Sequence, residues 1–104
     1  MRVITGKAKG IRLKTLEGLD VRPTTDRVKE GMFSAIQFDI PGARTLDLFA
    51  GSGQLGIEAL SRGAKQAVFV DQSAESLNVV KENLKKTGLI DFAELHQKAA
   101  EQFL

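Results

Sequence analysis

The sequence contains no cysteine, and this absence excludes several classes of structure. Without thiols the chain cannot form a disulfide scaffold, a thiolate zinc site or an iron–sulfur cluster. Its single histidine, His96, provides neither a multi-histidine metal site nor a serine–histidine–acid triad, so a structural role is the simplest reading. No apolar run approaches the roughly 18 residues that span a bilayer, and the start MRVITGKAKG has no signal-peptide core. We therefore expect a cytoplasmic protein with no membrane association and no metal.

The length and composition are those of one folded domain. The chain has 104 residues, of which 42% are hydrophobic and 27% are charged. These fractions predict a folded core rather than disorder, and the length makes a two-domain enzyme an unfavoured reading.

The charges are unevenly distributed along the chain. The net formal charge is +2, but residues 1–30 carry eight Lys or Arg against four acids, while residues 31–104 carry seven against nine. Such a basic segment is typical of a protein that binds a polyanion, usually the phosphates of a nucleic acid. A solvated surface hairpin explains the charge equally well. No aromatic residue lies among these bases, so phosphate contact is favoured over base stacking.

The order of the predicted elements indicates an α/β fold. Residues 1–14 predict a β-hairpin or two extended strands, and a loop leads to a helix over about 26–38. Strands are then predicted at 45–49, 67–70 and 90–96, with helices at about 54–62 and from Ser73 to Gly88 between them. Alternating strands and helices predict a parallel sheet. We divide the chain into a basic hairpin and loop, 1–25, and a Rossmann-like domain, 26–104.

A glycine motif lies directly after the first of these strands and opens the next helix. Gly51, Gly53 and Gly56 form G-x-G-x-x-G, and Asp71 follows twenty residues after Gly51 at the end of the next strand. We expect Gly51 to permit the tight turn, Gly53 to let a ligand approach the backbone, and Gly56 to allow close helix–sheet packing. A carboxylate at the Asp71 position suits the two hydroxyls of a ribose. The spacing therefore predicts a nucleoside-containing cofactor.

Asp47 favours S-adenosylmethionine over a dinucleotide. It lies four residues before Gly51, at the ligand-facing end of the strand. A carboxylate there would repel the pyrophosphate of NAD or FAD, whereas the methionine part of S-adenosylmethionine carries an ammonium and a sulfonium. A cap or a salt-bridge partner is the alternative role for Asp47, and NAD binding stays open as an alternative cofactor.

Three separated segments carry a family resemblance. The segment LDLFAGSGQLGIEAL followed by VFVD resembles motifs I and II of class I S-adenosylmethionine-dependent methyltransferases. More narrowly, MRVITGKAKGIRLKT, RPTTDRVKEGMF and LDLFAGSGQLGIEALSRGA resemble, in order, the RsmD family. These bacterial enzymes methylate the exocyclic amine of a guanine in small-subunit ribosomal RNA, and the family has also been labelled as DNA N6-adenine methylases.

The resemblance implies roles for individual residues. Asp47, Gly51 and Gly53 would line the methionine end of the cofactor, and Asp71 would bind the ribose. Phe49 and Gln72 complete the cofactor-binding candidates. The RPTTDR stretch would close over the cofactor or position RNA, although an ordinary capped helix also explains its threonines and aspartate. The candidate RNA-binding residues are Arg2, Lys7, Lys9, Arg12, Arg22 and Arg27.

The sequence departs from the family pattern in two places. The acid that contacts the adenine amine in many class I methyltransferases has no clear counterpart, Glu101 being a weak candidate. The family's catalytic D/N-P-P-Y/F segment is absent, since the only prolines are Pro23 and Pro41. We therefore name no catalytic residue and expect a partial sheet, the first three parallel strands of an rRNA guanine-N2 methyltransferase, inactive by itself.

An exposed sheet edge then predicts self-association or marginal stability. The alternatives are a DNA adenine methyltransferase fragment and a non-catalytic module that binds S-adenosylmethionine or RNA.

Overall fold

The protein is described by a computed structural model that covers residues 2–15, 31, 33–35, 39–48 and 50–103. Three parallel strands form one sheet in the order β1-β2-β3. They are β1 (Arg44–Asp47), β2 (Gln66–Asp71) and β3 (Ala93–Gln97). The helices are α1 (Gln54–Ser61), α2 (Ala74–Thr87) and the short α3 (Ala100–Phe103). The predicted α/β fold is confirmed.

The helices begin and end where local chemistry dictates. Ser73 caps α2 by accepting a hydrogen bond from the Ser76 N–H at 3.2 Å, and Gly88 ends the helix with a φ of 74°. Leu77, Val80 and Leu84 form the predicted buried stripe of α2. Residues 31 and 33–35 are helical, in agreement with the helix expected there, and the rest of that predicted helix lies outside the described residues.

Two strand boundaries differ from the prediction by two residues or more. The first strand ends at Asp47 because Leu48 already lies in a turn, and the third begins at Ala93 because Ile90–Phe92 form a 3₁₀ turn. Apolar residues at both places are typical of a strand, but the chain itself turns there and leaves the sheet. The Phe92 side chain in this turn is 45% exposed, although a phenylalanine in an apolar stretch is ordinarily a core residue.

Both crossover connections step in the same direction along the sheet, which places α1 and α2 on one face. The N-terminal arm, residues 2–15, contacts these two helices and contributes Val3, Ala8 and Leu13 to the core that includes Phe69 and Ile57. Within the arm, Arg2 and Arg12 form an antiparallel bridge rather than an extended hairpin ladder. The predicted domain boundary at residue 25 lies outside the described residues.

Candidate cofactor site and basic arm

The glycine-rich loop joins β1 to α1 at the carboxyl edge of the sheet. Gly51 has a φ of 56° and Gly53 a φ of 83°, and the Gly53 N–H donates to the Ala50 carbonyl at 2.7 Å. Residues with side chains rarely adopt these positive angles, so the tight turn requires glycine at both positions. The turn expected from the motif is therefore present.

Asp71 contacts this loop directly. One oxygen of its carboxylate, Oδ2, accepts a hydrogen bond from the Gly51 N–H at 3.1 Å, and Oδ1 accepts from the Ser73 N–H at 2.9 Å. The spacing of twenty residues thus brings the acid onto the loop. Each carboxylate oxygen can accept more than one hydrogen bond, so Asp71 retains capacity for the hydroxyls of a ribose.

Asp47 lies at the same edge of the sheet as Asp71. It is the last residue of β1 and lies opposite Phe69 of β2, two residues before Asp71. Its side chain is half-buried and engaged by another group of the protein. The glycine loop consequently begins next to one carboxylate and is hydrogen-bonded by a second, which makes this end of the sheet favourable for a cation.

The three glycines of the motif have different neighbours. A Cβ at Gly51 would meet nothing within 4 Å, whereas one at Gly53 would lie 3.1 Å from Val80. At Gly56 a Cβ would lie 2.4 Å from the Phe69 ring, which accounts for the close helix–sheet packing expected there. Open space for a ligand therefore lies beside Gly51, while at Gly53 both the positive φ and the contact with Val80 require glycine.

The remaining cofactor candidates are placed less completely. Gln72 is exposed and directly follows Asp71, and Phe49 lies outside the described residues. Directly after β3, the Lys98 N–H donates to the Asp71 carbonyl at 3.1 Å, so β3 ends beside the end of β2. Glu101 is exposed in the first turn of α3.

The basic arm exposes its lysine and arginine side chains to solvent, and buried polar side chains of α1 hydrogen-bond its backbone. Arg2, Lys7, Lys9 and Arg12 are all exposed, and Arg22 and Arg27 lie outside the described residues. Glu58, fully buried in α1, accepts hydrogen bonds from the Ile4 N–H at 2.8 Å and the Thr5 N–H at 3.1 Å.

Ser61 is the second anchor of the arm. Its hydroxyl accepts from the Ala8 N–H at 2.9 Å and donates to the Thr5 carbonyl at 2.6 Å. The sequence analysis missed Glu58 and Ser61, because an acid and a serine on an amphipathic helix are ordinarily surface residues. Only their position next to apolar core residues of α1 hinted at burial.

The tip of the arm lies at the opposite edge of the sheet from the glycine loop. The Lys7 N–H donates to the Ser61 carbonyl, at the end of α1, and the Lys7 ammonium lies 5.9 Å from the ring centroid of Phe92. Ser61 precedes β2 and Phe92 precedes β3, so this is the amino edge of the strands. The fold therefore brings an exposed aromatic ring next to the bases, although none lies among them in sequence.

Within the described residues, none of the helices is long and apolar enough to cross a membrane, and no group of three or more His, Asp or Glu side chains could hold a metal ion.

Comparison with known sequences identifies close relatives. YlbH of Bacillus subtilis is 50% identical over 104 residues, which is 100% of this chain and 56% of that protein. Ribosomal RNA small subunit methyltransferase D of Haemophilus influenzae is 44% identical over 85 residues, 82% of this chain and 44% of its own length. The chain thus spans about half the length of the curated relatives it matches.

Solved structures share the fold. The structure of yhhF from Escherichia coli superposes with a TM-score of 0.88 at 39% identity, covering 99% of this chain and 55% of that one. An RNA methyltransferase from Salinibacter ruber, in complex with S-adenosyl-L-homocysteine, superposes with a TM-score of 0.70 at 22% identity, covering 78% and 52% of the two chains. At that identity the likeness shows the fold alone.

The family model described as conserved hypothetical protein 95 matches residues 1–104. Its span includes all three segments on which the resemblance to the RsmD family rests, and two relatives named as ribosomal RNA small subunit methyltransferase D match 82% and 68% of the chain. The chain belongs to the conserved hypothetical protein 95 family, the RsmD-like family of methyltransferases.

Proposed function

We propose that this chain binds S-adenosylmethionine at the Gly51–Gly53 loop and forms the cofactor-binding part of a methyltransferase. The proposed substrate is the exocyclic N2 amine of a guanine in small-subunit ribosomal RNA. The hydrogen bond from the Gly51 N–H to Asp71 carries the proposal, because it joins the glycine loop and the ribose-binding candidate into one site.

The hydrogen bonds of the loop favour S-adenosylmethionine over a dinucleotide. A pyrophosphate is bound by free backbone N–H groups at a helix N-terminus. Here the Gly51 N–H already donates to Asp71 and the Gly53 N–H to the Ala50 carbonyl. Asp47 and Asp71 add negative charge that opposes a phosphate and attracts the ammonium and sulfonium of S-adenosylmethionine.

The reaction requires mainly positioning from the chain. When bound, S-adenosylmethionine would supply an electrophilic methyl group to the guanine amine, with S-adenosylhomocysteine as the leaving group and the loss of one proton from the amine. Asp71 would hold the ribose, Asp47 would orient the methionine end, and Gly51 would leave room for the ligand. Phe49 and Gln72 are proposed to flank this site.

Binding measurements test the cofactor. We expect calorimetric titration to show binding of S-adenosylhomocysteine and none of NADH. Asp71→Asn keeps the shape of the side chain but removes its charge and one acceptor, so affinity should fall by roughly 10-fold or more. Glu82→Gln, which removes an exposed acid on α2, is the matched control and should bind normally. Binding of NADH alone, or unchanged affinity in Asp71→Asn, would refute the assignment.

Ribosomal RNA is the proposed partner, and a cytoplasmic location follows from it. Relatives named as rRNA methyltransferases cover this part of the chain, and the arm exposes Arg2, Lys7, Lys9 and Arg12. Arg22 and Arg27 are proposed to extend this basic surface. Contacts between lysine or arginine and phosphate release counterions, so RNA affinity should fall steeply with salt concentration.

Variants of the arm test this partner. Replacing Lys7 and Lys9 together by Gln should weaken binding of a small-subunit rRNA transcript and reduce the salt slope by about 2. The matched control replaces Lys85 and Lys86, which are exposed in the last turn of α2 and do not belong to the arm, and should leave the slope unchanged. Equal loss in both double variants, or tighter binding of duplex DNA of the same length, would contradict the proposal.

Self-association through β1 is proposed for the isolated chain. Within the described residues, one edge of β1 pairs with β2 and the other pairs with no strand. Leu46 on β1 is 47% exposed, and a groove of about 480 Å³ with apolar walls, including Phe33, Leu48 and Leu55, lies beside it. Unpaired strand edges with apolar neighbours pair readily with other chains.

Sedimentation velocity tests this association. The unaltered chain should sediment as a dimer or larger species at micromolar concentration, and Leu46→Lys should shift it toward the monomer. Phe92→Lys is the matched control, because Phe92 is similarly exposed but lies on the far side of the sheet. A monomer at all concentrations, or the same shift in both variants, would count against the proposal.

A further inference from the structure

One buried asparagine joins the glycine loop to the basic arm. Asn83 lies in α2 and is 1% exposed. Its Oδ1 accepts a hydrogen bond from the Lys14 N–H at 2.7 Å, and its Nδ2 donates to the Lys14 carbonyl and to the Ser52 carbonyl, both at 2.9 Å. Both donors and the acceptor of the amide are therefore used on the backbone of two distant segments.

All three of these side-chain hydrogen bonds join Asn83 to residues outside α2, the helix that contains it. Asparagine is a poor helix former, and a buried amide is unfavourable unless all its hydrogen bonds are made. The segments it joins lie 31 and 69 residues away in sequence. One is the loop between Gly51 and Gly53 that contains the proposed cofactor site, and the other is the end of the arm with the proposed RNA contacts.

We propose that Asn83 is a positioning residue that couples cofactor binding to RNA binding. A ligand that orders the loop at Ser52 also orders Lys14 through the shared amide, and the reverse holds for a ligand on the arm. The second ligand then loses less conformational entropy, so each should tighten the binding of the other by the same factor. The inference rests on the proposed function, since it requires both ligands.

Ser61 also anchors the arm and can be compared with Asn83. Ser61 binds the backbone of Thr5 and Ala8, and neither of these two hydrogen bonds reaches the glycine loop. Loss of the Ser61 hydroxyl should therefore loosen the arm without separating it from the loop. Ser61→Ala is the matched control for Asn83→Ala.

The central measurement is the affinity for S-adenosylhomocysteine with and without a saturating small-subunit rRNA transcript. In the unaltered chain and in Ser61→Ala we expect RNA to tighten this affinity by about 5-fold or more. In Asn83→Ala the ratio should fall to about 1. Asn83→Asp keeps the shape and the acceptor but removes both donated hydrogen bonds, so it should lose the coupling as well.

Amide hydrogen exchange of the unaltered chain provides a test that needs no variant. S-adenosylhomocysteine alone should slow exchange at the Lys14 N–H, which is bonded to Asn83, and leave the Ala8 N–H, bonded to Ser61, unchanged. Equal slowing at both amides, or none at Lys14, would overturn the inference. So would an unchanged ratio of affinities in folded Asn83→Ala.

These outcomes separate the two proposals. If the unaltered chain binds both ligands independently, the coupling is refuted and the proposed function stands. If it binds neither, the proposed function fails and the coupling fails with it.

Discussion

Glu58 should be the residue on which docking of the basic arm depends most. It is fully buried and accepts three hydrogen bonds, from the N–H groups of Ile4 and Thr5 and from the Arg62 guanidinium at 2.9 Å. The Arg62 guanidinium also lies 4.8 Å from the centroid of the Phe33 ring. The carboxylate therefore joins the arm to α1 and, through Arg62, to Phe33 of the helical residues 33–35.

Glu58→Gln keeps the size of the side chain but replaces one acceptor oxygen by an NH₂ group. That group faces a donor, so at least one backbone N–H loses its partner and the Arg62 charge loses its counter-ion. Hydrogen bonds to charged groups contribute about 1.5–3 kcal/mol each, and breaking a buried ion pair costs about 3–5 kcal/mol. Because a released arm can rehydrate its N–H groups, we expect a loss of about 3 kcal/mol.

The assay is urea denaturation followed by circular dichroism. With a slope near 1.5 kcal/mol per molar, the midpoint should fall by about 2 M. Glu82→Gln is the matched control: Glu82 pairs with Lys14 of the same arm at 3.0 Å, but both side chains are 59% exposed. Its loss should be at most about 0.5 kcal/mol. Equal midpoints for the two variants would refute the reasoning that burial makes Glu58 the anchor.

Three further substitutions test the packing that positions the site. Gly56→Ala should destabilise the chain by about 1–2 kcal/mol, because the clash of a new methyl 2.4 Å from the Phe69 ring outweighs the better helix propensity of alanine. The loss of stability should be smaller in a Phe69→Leu background, and an unchanged loss there would contradict the packing argument. Gly6→Ala should displace the arm, because its Cβ would lie 1.9 Å from the Ser61 carbonyl oxygen; unchanged exchange of the Ala8 amide would refute this. Ser73→Ala should cost about 1 kcal/mol by removing the cap of α2, measured by thermal unfolding, and a gain in stability would contradict the capping role.

The glycine motif and its acid could be predicted because their chemistry is local. A tight turn with positive φ needs glycine at 51 and 53. Because β2 follows one helix and runs parallel to β1, its last residue lies at the same carboxyl edge of the sheet as the glycine loop. The contact between Gly51 and Asp71 follows from those two rules. The cap at Ser73 and the stop at Gly88 are local in the same sense.

The packing around Gly53 could not be predicted in this way. A Cβ there would lie 3.1 Å from Val80 of α2, a residue whose distance from the loop depends on how two helices pack. The position of Phe92 was missed for a similar reason. An isolated phenylalanine in an apolar stretch reads as core, whereas the 3₁₀ turn at the start of β3 leaves its ring exposed beside Lys7.

By itself the sequence determined the α/β order, the glycine-rich loop and the charge of the arm, because turns, caps, hydrophobic periodicity and charge are properties of neighbouring residues. Only the tertiary structure decided where that arm lies and what holds it. Glu58, Ser61 and Asn83 are polar residues on amphipathic helices, and nothing in their local sequence distinguishes them from solvated ones. Each of them has a partner more than fifty residues away in sequence, and these contacts exist only once the helices have packed on the sheet.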